Sequence, residues 1–440
     1  MWSKNKFFIS FSLAILLFIG LVGCFRNDFN FSFADSNPAE NQEDIYIMQG
    51  YAAADNQDLQ TAKESFAKAY AIRPDKSYLK EIIGILVAQQ DFENAKKQAY
   101  EYLAKYPKDE EIRAALVGIL TSTKDFDTAL KEAKILIAQN KSAQNYETLA
   151  SVYFLREDFI QSAQILSQAY ALSQDEMILD RLGAIYLLFL KQPQKTITLY
   201  ETHLKTHQDS KLIGEKLAII YTESKRYLDA ARVYAKLYES LGEQNYAKLA
   251  LEFYFRLKRL DLAKAFLLKN PKIDSRDEIL LEVYRLQKDY QNSLKQAEFL
   301  YQNTQDLNYL AFAAMMRYEK LQSFPKAELT KIEKDLKQVA QTLEDALYWN
   351  YLGYLMIEHD FKDSARINEG MQYVQFALDK EPQNIYYLDS LAWGYYKLKN
   401  CTQAKEIMEQ IPTEEIEKES EILGHYKSIT QCYQQPKEQK

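Results

Sequence analysis

Apolar and polar positions recur along this chain with a helical period, and the whole pattern restarts about every 34 residues. Asp58-Leu59-x-x-Ala62, Asp91-Phe92-x-x-Ala95, Asp125-Phe126-x-x-Ala129 and Asp158-Phe159-x-x-Ser162 repeat one turn and helix start at intervals of 33, 34 and 33 residues. Later copies are Arg226-Tyr227-x-x-Ala230, Arg259-Leu260-x-x-Ala263, Asp289-Tyr290-x-x-Ser293 and Asn400-Cys401-x-x-Ala404. The polar residue ends a turn between two helices, where Asp can cap the new helix by accepting from its free N–H groups. The apolar residue after it staples into the hairpin core, and the Ala or Ser one turn on lets two helix backbones approach. In the first copy the pattern continues with Gly50 in the first helix, then Phe66, Ala69 and Pro74, which stops the second helix. The spacing predicts about eleven hairpins between Glu43 and Ile411, then a closing helix from roughly Thr413 to Tyr433. Such a hairpin cannot bury its own apolar face, so it must stack on neighbours and be capped at the end.

The period, the small residues and the terminal proline resemble the tetratricopeptide repeat, and Trp349-x-x-Leu352-Gly353 reproduces the start of its consensus. The resemblance implies an all-α, tetratricopeptide-type α-solenoid, a superhelix of about eleven helical hairpins plus a capping helix. It also implies that first helices line a concave face where peptides dock. On that template Tyr51, Phe154, Phe255, Tyr354, Trp393 and Tyr396 point toward the groove, as candidate partner-binding residues or as fillers between helices. The phase breaks between Gln302 and Asp345: Pro325 interrupts, and Lys326 to Thr342 reads as one longer, charged helix. The predicted organisation is therefore a repeat array over 43–301, an irregular seam (or a degenerate repeat) over 302–345, repeats with a capping helix over 346–434, and a disordered tail over 435–440.

The first residues bear on compartment. Lys4 and Lys6 precede an apolar run from Phe7 to Val22, too short to favour a permanent span, and Leu21-Val22-Gly23-Cys24 follows. This resembles a bacterial lipoprotein signal, which implies a signal peptide over 1–23, lipid on Cys24 and palmitate among its acyl chains. Several chains on one residue anchor where a single chain would not. Phe25 rather than Asp follows the cysteine, which by the enterobacterial sorting rule suggests the periplasmic face of the outer membrane. Residues 24–42, rich in Asn, Ser and Asp, read as a flexible tether.

A narrower likeness lies near the carboxyl end. Asn350-Tyr351-Leu352-Gly353-Tyr354, a turn lengthened by about five residues from His359 to Arg366, Ile367-Asn368-Glu369-Gly370, Ala377-Leu378, Glu381-Pro382-Gln383-Asn384 and Asp389-Ser390-Leu391-Ala392-Trp393-Gly394-Tyr395 follow in order. The series is similar to the last repeats of a group of proteobacterial tetratricopeptide lipoproteins, with Ala392 where the group usually has glycine. That group includes an outer-membrane adaptor that activates a periplasmic carboxyl-terminal processing protease and brings it cell-wall hydrolases. The resemblance implies a non-enzymatic adaptor whose partners are proteins. The competing expectation is an accessory lipoprotein in outer-membrane protein assembly or in secretin or pilus export.

Composition narrows the chemistry. There are 55 basic and 62 acidic side chains, and losing Lys4 and Lys6 with the signal takes the balance from −7 to about −9. That acidity, with no basic cluster after residue 25, argues against nucleic-acid binding. Beyond Cys24 the only cysteines are Cys401 and Cys432, which in an oxidising compartment are either a disulfide or two buried thiols. His203 and His207 share a helix face, but Leu204 stands where a zinc protease needs glutamate, so they read as two solvated histidines at a helix end. No phosphate loop and no Gly-x-Ser-x-Gly elbow occurs, and neither catalytic residues, cofactor nor metal is expected. The 33 Tyr and 22 Phe suit partner recognition or packing between helices.

Overall fold

A computed structural model of the chain describes residues 38–359 and 363–434, and every element in it is helical. The expected lipidation site Cys24 and the tail over 435–440 lie outside the described residues. Two compact units divide between Arg226 and Tyr227. Each is an α-solenoid of tetratricopeptide-type hairpins.

In the first unit the hairpins pair Pro38–Asp55 with Leu59–Ile72, Lys76–Ala88 with Phe92–Lys105, Glu110–Ser122 with Phe126–Gln139, and Ala143–Leu155 with Phe159–Ser173. A fifth pairs Glu176–Ala184, prolonged by a π-helical turn Ile185–Phe189, with Pro193–Thr206, and Lys211–Glu223 ends the unit. The second unit opens with Tyr227–Leu241. It continues through Gln244–Arg256 with Leu260–Lys269, Arg276–Leu286 with Tyr290–Thr304, Leu307–Glu319 with Lys326–Leu343, Ala346–His359 with Ser364–Lys380, and Ile385–Lys397 with Cys401–Met408. Two helices close it, Thr413–Lys418 and Ser420–Gln434.

The repeated turn has one construction. The residue before the capping Asp takes a left-handed conformation (Gln57, Gln90, Lys124 and Glu157 in the first four copies). This lets the Asp58, Asp91, Asp125 and Asp158 N–H groups reach back to Ala53, Leu86, Leu120 and Tyr153 carbonyls at 2.8–2.9 Å. Those bonds satisfy carbonyls that a helix end leaves open. The Asp58, Asp91, Asp125 and Asp158 carboxylates then accept from the N–H three residues on, at 3.1–3.3 Å. One tetrapeptide thus ends one helix and starts the next.

Behind each turn the small residue is fully covered: Ala62, Ala95, Ala129, Ser162, Ala230, Ala263, Ser293 and Ala404 are all buried without residual exposure. Where the position is polar, it can be hydrogen-bonded across the hairpin, as in Ser162 Oγ to the Ala150 carbonyl at 2.9 Å. Thr196 occupies the same place in the fifth hairpin, donating to the Gly183 carbonyl at 2.9 Å. The repeat signature is not legible there in the sequence, because Gln192-Pro193 replaces the Asp-apolar pair.

Two expectations are corrected, and a third narrows to one of its two readings. The stretch 302–345 packs as a degenerate repeat rather than a seam: Leu307–Glu319 packs on both Tyr290–Thr304 and Lys326–Leu343. Pro325 stands just before the long helix in an extended conformation (φ −66°, ψ 138°), where its missing N–H costs nothing. Ile332, Leu336, Val339 and Ala340 then form one buried face of that helix. The tether expected over 24–42 is helical from Pro38, because proline followed by Ala39 and Glu40 is a favourable helix start. The single closing helix is two, broken at Glu419, whose backbone is extended.

Gly353 and Gly370 face each other in the tenth repeat. A Cβ on Gly353 would lie 2.5 Å from the Gly370 carbonyl oxygen, and one on Gly370 would lie 2.8 Å from that of Gly353. Only two glycines let these helices pack backbone on backbone. Gly424 is exposed within the last helix, and a Cβ added there would meet nothing within 4 Å. Gly353→Ala is therefore expected to lower stability in urea unfolding by roughly 1–3 kcal/mol, whereas Gly424→Ala should raise it by up to about 1 kcal/mol.

Candidate protein-interaction face

First-helix side chains of successive hairpins are joined into a ladder in the first unit. Tyr51 donates its hydroxyl hydrogen bond to Glu81 Oε1 at 3.0 Å and sets its ring edge-on to Phe66, 5.0 Å between centres. Lys80 bridges Asp109 Oδ2, at 2.9 Å, and Glu111. Glu147 pairs with Arg181, and Lys216 reaches Asp180 Oδ1 at 3.5 Å. Burial pushes the Glu81 carboxyl above the ordinary range, against the Tyr51 hydrogen bond that favours its charge. Burial raises Glu147 too, opposed by Arg181. These partly sheltered charges fix adjacent hairpins to one another and give the face a defined polar pattern.

Phe154 sits at the end of its helix, half-buried and edge-on to Phe159 and Phe189 at 5.4 and 5.1 Å, while Phe159 stacks on Phe189 at 4.5 Å. The π-helical turn inserts one extra residue and brings Phe189 to this cluster. Phe255 is half-buried against the aromatic core around Tyr254 and Phe266.

The remaining three candidates converge in the second unit. Trp393 donates its indole N–H to Glu358 Oε2 at 2.7 Å, and Lys397 meets the same oxygen at 3.1 Å. Tyr396 stacks on Trp393 at 4.6 Å. On Trp393 also lies the imidazole of His425, 3.8 Å away and inclined by 18°. His425 Nδ1 is 2.9 Å from Asp389 Oδ2, and both residues are buried. Tyr354 donates to Glu421, and burial together with that carboxylate drives its phenol pKa far up. Asp389 is raised by burial, with His425 opposing. His425 and Glu421 both belong to the last helix, so this helix lies against first-helix residues of the tenth and eleventh repeats.

Sequence reading named Asp389 only within the family-like series and singled out none of Asp389, His425, Glu421 and Glu358 as a site residue. Its available signal was the spacing: Asp389 and His425 are 36 residues apart, about one repeat, as though the last helix were one more first helix. Cys401 and Cys432 form a disulfide with Cα atoms 5.7 Å apart, which ties the end of that helix to the start of the helix Cys401–Met408.

The two solvated histidines are corrected. His203 is buried, its Nδ1 2.7 Å from the Tyr170 hydroxyl, and its ring stacks on His207 at 4.3 Å. The cause is tertiary: the neighbouring hairpin supplies Tyr170. Among the described residues no group of three or more His, Cys, Asp and Glu side chains is placed to hold a metal ion, and no helix is long and apolar enough to cross a membrane.

No known family profile matches the chain, and no curated protein does either. Solved structures that share its repeated hairpins include a tetratricopeptide repeat protein from Parabacteroides merdae, 16% identical over 56% of this chain and 98% of that one, with a TM-score of 0.34. Another is MamA from Desulfovibrio magneticus, 13% identical over 39% and 98%, TM-score 0.34. A third is PilF from Pseudomonas aeruginosa, 16% identical over 56% and 100%, TM-score 0.27. Nothing about binding follows from likeness at this level.

Burial, and then electrostatic repulsion from the neighbouring His207, lower the pKa of His203 from its ordinary 6.5. A histidine held neutral in the fold contributes stability above its unfolded pKa and loses it as pH falls through the folded one. Thermal unfolding should show a clear loss between pH 7.5 and 5.5, and His203→Gln should shrink that acid-induced drop. An equal drop in both proteins would assign the acid sensitivity elsewhere.

Proposed function

We propose that this chain is a lipid-anchored scaffold of the cell envelope that holds partner proteins along the first-helix faces of its hairpins. The observation that carries this is the preformed ladder on those faces, Tyr51–Glu81, Lys80–Asp109 and Glu147–Arg181, repeated from hairpin to hairpin. A surface patterned in this way can select a partner by placing charges and aromatic edges without being reordered on binding. Stacked hairpins of this kind fit a protein-interaction role, and we assign the chain no catalysis.

In the finer reading, Cys24 carries the lipid at the periplasmic face of the outer membrane, and the partners are a carboxyl-terminal processing protease and its cell-wall hydrolase substrates. The support is the lipobox Leu21-Val22-Gly23-Cys24 and the series Trp349 to Tyr395. Docking activates the protease if it binds the active state more tightly than the inactive one, since a partner shifts an equilibrium only by differential affinity.

The test is a mild-detergent pull-down of the lipidated protein from its own membranes, read by mass spectrometry. Enrichment of a carboxyl-terminal processing protease is expected, with wall hydrolases accompanying it. Recovery of barrel-assembly or secretin components without a protease would replace the adaptor reading by the assembly or export role. Cys24→Ser should move the chain from the membrane to the soluble fraction, and unchanged fractionation would remove the anchor.

A further inference from the structure

The last helix is held at both ends and only lightly in between. At its start the chain is continuous through the extended residue Glu419, and at its end Cys432 is bonded to Cys401, 31 residues earlier. Between these points Ser420–Gln434 buries only Ile422, His425 and Ile429. The neighbouring helix Ile385–Lys397, by comparison, buries seven residues. The last helix's other contacts are Leu423, partly buried on the core, Tyr433 under the Lys405 ammonium at 4.3 Å, Glu421 with Tyr354, His425 with Asp389 and the Trp393 face, and at the leading edge Tyr386 Oη to Glu419 Oε1 at 3.1 Å. Two buried aliphatic side chains are a weak grip for a helix of 15 residues. The covalent bond therefore does much of the holding.

We propose that this helix is a displaceable occupant of the first-helix face in the tenth and eleventh repeats, latched by the Cys401–Cys432 disulfide. Opening the latch uncovers Tyr354, Asp389 and Trp393 for a partner helix of similar chemistry. This rests on the proposal that partners dock on first-helix faces. The occupant indicates what fits: an amphipathic helix with a carboxylate that accepts from Tyr354 and, four residues on, a flat ring that stacks on Trp393 and donates to Asp389. Glu421 and His425 have that spacing, which puts both on one side of a helix.

The redox step is thiol–disulfide exchange. The thiolate of an external thiol, small or carried by an oxidoreductase, attacks one sulfur of the pair and displaces the other as a thiolate, which takes up a proton. A second external thiol resolves the mixed disulfide. Two electrons and two protons pass to Cys401 and Cys432, and the donor leaves as its own disulfide. Both cysteines are partly exposed, so a thiol can reach them.

Hydrogen exchange of the full chain, with and without a thiol reductant, tests the latch directly. On reduction, exchange across Ser420–Gln434 should speed up at least ten-fold, while Gln244–Thr304 and the helices of 59–223 stay protected as internal references. Equal protection in both states overturns the latch. A labelled peptide of residues 413–434 with Ser at position 432 then probes the uncovered face by fluorescence anisotropy. It should bind the Cys401→Ser/Cys432→Ser protein at least ten-fold more tightly than the oxidised protein. Trp393→Ala in that background should weaken it again. Equal binding to both proteins overturns the occupant assignment. If the helix opens and the peptide binds, but pull-downs recover the same partners from oxidised and reduced protein, the latch stands and partner docking at this face fails.

Discussion

The structure depends on how closely two helices can approach just after a tight turn. In nine of the repeats an Ala, Ser or Thr stands one turn into the second helix, and all nine of these positions are sealed from solvent. Removing a side chain there brings the backbones near enough for the larger groups further along, such as Phe66 and Tyr102, to fill the hairpin interior. The turn is set independently by a left-handed residue and a capping Asp, so closeness and crossing are fixed before neighbours arrive. Each hairpin still leaves an apolar face open, and stacking supplies the rest. Gly353 and Gly370 carry the same device to its limit, with backbone against backbone.

Tyrosine explains much of what joins one hairpin to the next. Tyr51 with Glu81, Tyr78 with Glu43, Tyr386 with Glu419 and Tyr354 with Glu421 are separated by about one or two repeats. In each the hydroxyl donates to a carboxylate of another helix, and the Tyr78 ring is also buried between helices. A chain with 33 tyrosines thus uses them as struts between repeats, and their richness is not in itself a measure of binding surface. The same pairing logic lets the last helix serve as a cap: Glu421 and His425 satisfy Tyr354 and Asp389, which a terminal repeat would leave facing water.

Local sequence determined the class, the hairpin period and the turns, because each rests on short-range chemistry: a cap accepts from an N–H three residues away, and a small residue acts at a fixed offset. It determined the long helix after Pro325 for the same reason. The lipidation proposed at Cys24 is also a matter of local sequence, a motif read one residue after another. Tertiary structure alone decided that 302–345 joins the stack, since the buried face of Lys326–Leu343 is defined only against Leu310, Ala314 and Leu352. It likewise decided that His203 is buried under Tyr170, that Phe154 packs on Phe189, and that His425 lies on Trp393. Such pairs are about a repeat apart, and which rings meet depends on how each helix is rotated in the stack. That rotation is a property of packed neighbours, which no single segment of the chain contains.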